Sequence, residues 1–525
     1  MVAKTDTPVT NDTVVEIGSA ILSGPDVVAV ARAGAKVQLT GPAMAAIARA
    51  RRVVDRLAAS PSPVYGVSTG FGALATSHIP VDRRADLQRS LIRSHAASTG
   101  AEIDREIVRA LMLLRLRTLA SGWTGVRPET ATALAGLLNA GITPVVGEYG
   151  SLGCSGDLAP LAHVALALTG EGQVRDGEGS AQPAAQALAA AGLTAVKLAE
   201  KEGLALINGT DGMLGMLLLA TADLHVLVVA ADISAAMSVE ALLGTDRVYA
   251  EALQALRPQP GQAVSAANLR KLLDDSEIVA SHQVDPVNCP IVQDAYSLRC
   301  APQVAGAVRD TLAHAEAVAD RELASVIDNP VLLPDGRVES NGNFHGAPIG
   351  YVLDFLAIAV ADLASISERR TDRLLDPARS HGLPPFLAGD PGVDSGHMIA
   401  QYAAAGIVSE LKRLAAPASV DSIPSSAMQE DHVSMGWAAG LKLRRALDGL
   451  RRVLAIEVLT AARALDLRAP LAPAPGTAAA RTAVRARVDG PGPDRFLAPE
   501  IESVVGLLES GDLIGAVEAV TGPLP

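Results

Sequence analysis

The chain is poor in aromatics: its 525 residues include six Tyr, five Phe and two Trp. Several of these few fall in polar or Gly-rich stretches and not in apolar stripes. Tyr65 and Phe71 lie in VYGVSTGFGA, Tyr149 in EYGSLGCSGDLAPLAH, Tyr296 in CPIVQDAYSLRC and Phe344 in SNGNFHGAP. Two more stretches, LINGTDG around Asn208 and PSSAMQEDHVSMG around Glu430, are polar without aromatics. Polar clusters in a chain this hydrophobic point to a site, because conserving local order in such loops serves chemistry more than packing.

The segment Gly153-Cys154-Ser155-Gly156-Asp157 could build an electrophile. A Ser between a small residue and a Gly can cyclise its own backbone. The amide nitrogen of Gly156 attacks the carbonyl of Cys154, which is feasible because Gly lacks a Cβ and tolerates unusual dihedrals. Loss of one water from the ring and of the Ser155 hydroxyl as a second leaves an exocyclic methylene. Asp157 stands where an N-cap would, with Pro160 in the first turn of an apolar helix. The ring would then sit at a positive helix N-terminus, which favours electron-rich adducts. Spacing alone, however, fits a plain tight turn before a helix better than it fits a ring.

Other chemistries find less support. Gly66-Val67-Ser68-Thr69-Gly70 has the G-x-S-x-G pattern of hydrolases, but no alternation of strand and helix surrounds it. The ten histidines never take a metal spacing such as H-E-x-x-H, so no catalytic metal is expected. The net charge is −13 and no run of five basic residues occurs. The pairs Arg369-Arg370, Arg444-Arg445 and Arg451-Arg452 are expected on solvated helix faces. Nucleic acid and anionic membrane are therefore poor partners.

The elements that must position these residues are mostly helical. Residues 1–12 are expected to be disordered, and residues 13–205 to form a mixed, loop-rich N-terminal domain with short helices at Gly41–Leu57 and Asp104–Ser121. Within it, Glu171–Leu193, rich in Gly, Ala, Gln and Pro, is expected to be a surface excursion. Residues 206–468 are expected to form a long central helical bundle. There Ala301–Ile327, Gly350–Leu374, Met398–Leu414 and Gly436–Leu465 repeat apolar residues at three- and four-residue spacing. Residues 469–525 follow a Pro/Ala-rich break with short C-terminal helices. Little strand signal is present, and the fold class is all-α. The most apolar stretch, Met213–Leu243, is interrupted by Asp223, His225 and Asp232 and is expected to be a buried bundle helix.

Only 19% of residues are charged, so much of the exterior is expected to be buried between subunits. Cys154, Cys289 and Cys300 make no disulfide framework in a chain of this length, and Cys289 and Cys300 are expected to be buried apolar residues. The N-terminal MVAKTDTPVTNDTVVEIG has no apolar core of signal-peptide length. A reducing, cytoplasmic setting is expected.

The segment GSLGCSGDLAPLAH resembles the signature of the aromatic amino acid ammonia-lyases, whose prosthetic group is 4-methylidene-imidazole-5-one. YGVSTGFG, RSHAAS, LINGTDG, RPQPGQ, QDAYSLRC, GNFHG and QEDHVSM resemble the same family in the same order, from about Tyr65 to Met435. The resemblance implies a fumarase/aspartase-like helical fold and a homotetramer with shared active sites. Tyr65, Asn208 and Glu430 would then meet across subunits, and one chain would hold them apart. It implies a group formed from Cys154, Ser155 and Gly156, with no external cofactor. Two positions depart from the pattern: Cys154 where Ala is commonest, and Ser68 where Asn is common. The first ring residue supplies only a carbonyl and a substituent, so Cys should permit cyclisation.

The resemblance also assigns roles. The reaction must break a barely acidic β C–H bond and expel a poor leaving group, and addition of the substrate amine to the methylidene carbon makes it leave better. Tyr65 matches the β-proton base, Asn208 the residue that bonds the ring carbonyl, and Phe344 a residue packing on ring and substrate. Arg299 matches the substrate-carboxylate clamp, for which a planar guanidinium is suited. Gln293 and Tyr296 precede it at three-residue steps on a helix expected to begin after Pro290. Ser94-His95 resembles the histidine-cleaving branch, and the expected reaction is L-histidine to trans-urocanate and ammonia. An imidazole carries a donor and an acceptor, and His95 and Glu430 supply polar partners for it. A phenylalanine pocket would instead leave the Glu430 carboxylate buried without a partner. Phenylalanine or tyrosine lyases, an aminomutase on the same scaffold and a catalytically dead scaffold are the alternatives. Read from the residues alone, Glu430 could equally be a carboxylate at a helix N-terminus.

Overall fold

A computed structural model of the chain describes residues 14–18, 20–59, 64–70, 72–153, 156–281 and 292–525. The expected disorder of residues 1–12 and the position of Cys289 therefore lie outside the described residues.

Helices build the protein, as the apolar periodicity predicts. They include α1 (Gly41–Ala58), α2 (Arg84–His95), α3 (Arg105–Ala120), α4 (Leu158–Leu168), α5 (Glu202–Ile207), α6 (Asp211–Ala241), α7 (Ala301–Ala324), α8 (Ala347–Leu375), α9 (Met398–Leu414) and α10 (Gly436–Asp466). Three shorter helices, Pro475–Arg485, Leu497–Glu509 and Asp512–Thr521, end the chain. Local chemistry sets the boundaries. The Thr40 hydroxyl accepts the Ala43 amide ahead of α1 at 3.3 Å, and Ile47, Ala50 and Val54 then bury one face. In α10, Leu443, Leu447, Leu450, Val453, Leu454 and Val458 are all buried. The membrane test is passed in length and composition by α6 and α8, but 78% and 61% of their most apolar windows are buried inside the protein. Both are core helices.

The chain forms two compact units. The first gathers Met1–Ala222, Glu316–Leu353 and Pro417–Leu441; the second gathers Asp223–Ala315, Asp354–Ala416 and Lys442–Pro525. Helices α6, α8 and α10 begin in the first unit and end in the second.

Strands are more numerous than the sequence suggests. Among the described residues, nine strands of two to four residues make four small sheets. The Glu171–Leu193 segment is not a loose excursion. Gln173–Arg175 pairs antiparallel with both Ala181–Pro183 and Thr143–Pro144, helix Ala184–Ala190 follows, and Val174, Ala187 and Leu188 are buried. Strands of three residues are too short to display an alternation, so composition alone misplaced them.

The Arg pairs also divide differently from expectation. Arg370 is buried, with 1% of its side chain exposed, while Arg369 stays 55% exposed. Cys300 is half-buried and not a core residue.

Candidate active site

Cys154 and Ser155 lie outside the described residues, but both flanks are described. Gly153 and Gly156 hold φ of +71° and +77°, a left-handed conformation that suits glycine. Gly156 runs beside Gly209 as an isolated parallel bridge. A Cβ on Gly156 would lie 1.9 Å from the Gly209 carbonyl oxygen, so no side chain fits there. The Gly153 carbonyl accepts the Ser434 hydroxyl at 3.0 Å and the Gly346 amide at 3.4 Å.

Asp157 precedes α4 as expected, but its side chain makes no hydrogen bond to that helix. It serves another helix. Oδ2 accepts the amides of Gly212 and Met213 at 2.7 and 2.9 Å, at the start of α6, and Oδ1 accepts the Ser151 hydroxyl at 3.0 Å. Burial pushes the Asp157 carboxyl up to about 7, against those hydrogen bonds, which favour the carboxylate.

Asn208 ends α5 and is buried. Its Nδ2 donates to the Asn329 carbonyl at 2.9 Å, while its Oδ1 is buried with no hydrogen-bond partner among the described residues. Its backbone is held as firmly. The fully buried Arg115 on α3 donates to the carbonyls of Asn208 and Ala205 at 3.0 Å each and of Ile327 at 3.3 Å. Its Nε reaches the Asp211 carboxylate at 3.1 Å, and Nη2 pairs with the same oxygen. Behind Asn329, its Oδ1 accepts the Asn341 amide at 3.0 Å, and the neighbouring Asp328 pairs with Lys201 at 2.6 Å, both fully buried. Burial lowers the Lys201 ammonium and raises the Asp328 carboxyl from their usual ranges, and each partner opposes the other's shift.

Tyr65 sits in a turn whose Gly72 amide donates to its Oη at 3.2 Å. Gly66, at φ +77°, packs so closely on Leu204 that a Cβ would lie 3.0 Å from its side chain. The same turn leans on Ser426, whose Oγ accepts the Ala73 amide at 3.4 Å. Four residues on, Glu430 pairs its backbone with Ser425 and takes the Ser425 hydroxyl on Oε2 at 2.8 Å. Glu430 is no helix-terminal carboxylate, since α10 begins at Gly436. His95 is the last residue of α2. Its Nδ1 lies 2.9 Å from the Leu91 carbonyl and 3.0 Å from the Ser94 hydroxyl, and Nε2 has no partner among the described residues. Burial lowers the His95 imidazole; the Leu91 carbonyl and then the Glu430 charge oppose it. Within one chain the Tyr65 turn thus lies against Ser426, and the Glu430 charge reaches His95.

Phe344 is half-buried in the turn before α8. Next to it His345 stacks on His432, with ring centroids 5.5 Å apart.

In the second unit, Tyr296 and Arg299 share a single helical turn, Tyr296–Arg299. Gln293 does not belong to it. The helix starts at Tyr296, after an extended Ala295, so the expected three-residue fan on one face keeps only Tyr296 and Arg299. The Asp294 carboxylate explains the break, since it accepts the Thr245 amide at 2.8 Å and fixes the chain just ahead of the turn. The Arg299 guanidinium lies over the Tyr296 ring at 4.7 Å, Tyr296 is 72% exposed, and the Arg299 Nε is buried with no partner among the described residues.

Arg115, Asn329, Ser434 and the α6-capping role of Asp157 escaped the sequence reading. Only Ser434 had a signal, its place in QEDHVSM. An Arg in the apolar helix Arg105–Ala120 looks like any solvated face until its carbonyl partners are known.

Comparison with known proteins gives a consistent picture. Residues 22–486 match the family model described as aromatic amino acid lyase. A histidine ammonia-lyase of Streptomyces avermitilis is 65% identical over 511 residues, spanning 97% of this chain and 99% of that protein. The crystal structure of a tyrosine aminomutase from Streptomyces globisporus superposes with a TM-score of 0.92 at 37% identity, covering 97% of this chain and 100% of the other. That of a histidine ammonia-lyase from Trypanosoma cruzi gives 0.88 at 37% identity, covering 97% and 96%.

Proposed function

Since the chain belongs to the aromatic amino acid lyase family, we propose that it eliminates ammonia from L-histidine without oxidation, giving trans-urocanate, with a 4-methylidene-imidazole-5-one formed from Cys154, Ser155 and Gly156. The surroundings fit that group: a cradle at Gly156 that a Cβ would fill, a Gly153 carbonyl tied by Ser434, and a buried Asn208 amide nitrogen that gives one of its two hydrogens to Asn329 and keeps the other for a ring carbonyl. Once formed, it supplies an electrophilic carbon for the substrate amine. Asn208 would hold it through its side-chain amide.

The chain's own side chains do the rest. Arg299, its Nε unpaired, grips the substrate carboxylate. Tyr65 Oη takes the β-proton, and the Gly72 amide that donates to it fixes its position. Gln293 and Tyr296 line the substrate beside Arg299, and Phe344 packs against the substrate and the ring. His95 and Glu430 bind the imidazole. Lowered by burial, His95 is neutral near pH 7, and its Nδ1 is already engaged, so Nε2 faces the ligand.

The choice of substrate is supported by the 65% identity to a histidine ammonia-lyase and by Glu430, whose charge acts on His95: the N–H of an imidazole satisfies that carboxylate and a phenyl ring leaves it desolvated. The enzyme is cytoplasmic and works as a homotetramer whose subunits share active sites. Tyr351, Phe355 and Ile358, at four- and three-residue steps on α8, are all exposed, as a face between subunits requires. Incubation with L-histidine should release urocanate and ammonia in equal amounts. Turnover of another aromatic amino acid without urocanate, or formation of a β-amino acid from histidine, would overturn the assignment.

A further inference from the structure

Arg299 closes the turn Tyr296–Arg299 next to a helix that cannot support it. In a continuous helix the Leu298 carbonyl would accept the amide of residue 302. Residue 302 is Pro302 and has no N–H, so the carbonyl that immediately precedes Arg299 lacks its usual helical donor and keeps from its own turn only the Cys300 amide. Tyr249, fully buried, fills the vacancy: its Oη donates to the Leu298 carbonyl at 2.9 Å. One residue earlier, the Ser297 carbonyl accepts Nη1 of Arg370 at 3.3 Å. Arg370 is itself fixed by the buried Glu457, through Nε at 2.5 Å and Nη2 at 2.9 Å. Glu457 also takes the hydroxyls of Ser234 at 3.0 Å, Ser238 at 2.7 Å and Ser367 at 2.6 Å. Two fully buried side chains, one of them anchored on Glu457, which three hydroxyls also hold, thus grip the two peptide groups immediately before Arg299.

We propose that Tyr249 and Arg370 are positioning residues that aim Arg299 at the substrate carboxylate. The inference rests on the reading of Arg299 as the carboxylate clamp. A misaligned clamp weakens every ligand carrying that carboxylate and leaves ligands without it untouched.

The test is Tyr249→Phe, which removes one oxygen and keeps the ring. KM for L-histidine is expected to rise about tenfold, with kcat much less affected, as a lost hydrogen bond in a binding contact predicts. Competitive inhibition by carboxylate-bearing imidazoles should weaken to the same degree, while inhibition by histamine, which lacks the carboxylate, stays as in the unmodified enzyme. Pro302→Ala in the Tyr249→Phe background restores an amide opposite Leu298 and should recover part of the loss. Equal weakening of both inhibitor types, or a lowered melting temperature with unchanged KM, would overturn the positioning role and leave Tyr249 merely structural. Arg299→Lys separates the two ideas. If it also leaves the preference for carboxylate-bearing inhibitors unchanged, the clamp reading fails. If Arg299→Lys abolishes that preference and Tyr249→Phe does not, the positioning alone fails.

Discussion

Gly156 and Gly209 lie backbone to backbone, a Cβ on Gly156 falling 1.9 Å from the Gly209 carbonyl oxygen. The bridge joins the segment proposed to cyclise to the residue that follows Asn208, so ring and ring-binding amide are placed by one contact. Arg115 fixes the other side of Gly209: a Cβ there would lie 1.7 Å from its Nη2.

Gly156→Ala should therefore fail to close the ring. The expected outcome is a loss of at least ~10³-fold in kcat, because the nucleophile-accepting group is missing altogether. Folded Gly156→Ala with normal turnover would contradict the close approach.

Asn208→Ala should reduce kcat by ~10²-fold or more and change KM less, as expected for a polar group that acts where charge develops. A larger effect on KM than on kcat would place Asn208 in substrate binding instead.

Glu430→Ala should lower kcat/KM for L-histidine by roughly 100-fold, the scale of an unpaired buried hydrogen-bonding group. Any residual activity on L-phenylalanine should fall much less. Equal losses on both substrates would remove Glu430 from imidazole recognition.

The Asp157 carboxyl lies near 7 in the folded chain against an ordinary 3.8. A carboxyl raised on folding binds its proton more tightly in the native state. Its contribution to stability is therefore full below about pH 4 and is lost as pH rises through about 7. The thermal midpoint of the unmodified protein should fall across that window more steeply than that of Asp157→Asn, which carries no titrating group. Parallel slopes would show that Asp157 does not titrate there.

The fold was legible where periodicity runs long. Met398–Leu414 was bounded to the residue, and Gly436–Asp466 to within one at its end, because a stripe of eight turns repeats often enough to define its own limits. The strand pairs around Val174 were not legible, since two- and three-residue strands carry no period. Segments rich in Gly and polar residues singled out Tyr65, Asn208, Tyr296, Phe344 and Glu430 as candidates, while His95 and Arg299 came from the family resemblance alone. The supports were invisible. Arg115, Arg370, Tyr249 and Asn329 act through partners 49 to 212 positions away, and no local pattern encodes those partners. Gln293 was misplaced for the opposite reason: a three-residue step looks helical even where Asp294 stops the helix.

The most direct measurement is the mass of the segment itself. Peptide mapping of the freshly purified, folded protein should recover residues 154–156 lighter than their sequence by two waters, a deficit that Ser155→Ala abolishes together with turnover. Recovery of an unaltered Cys154-Ser155-Gly156 from active enzyme would contradict the account.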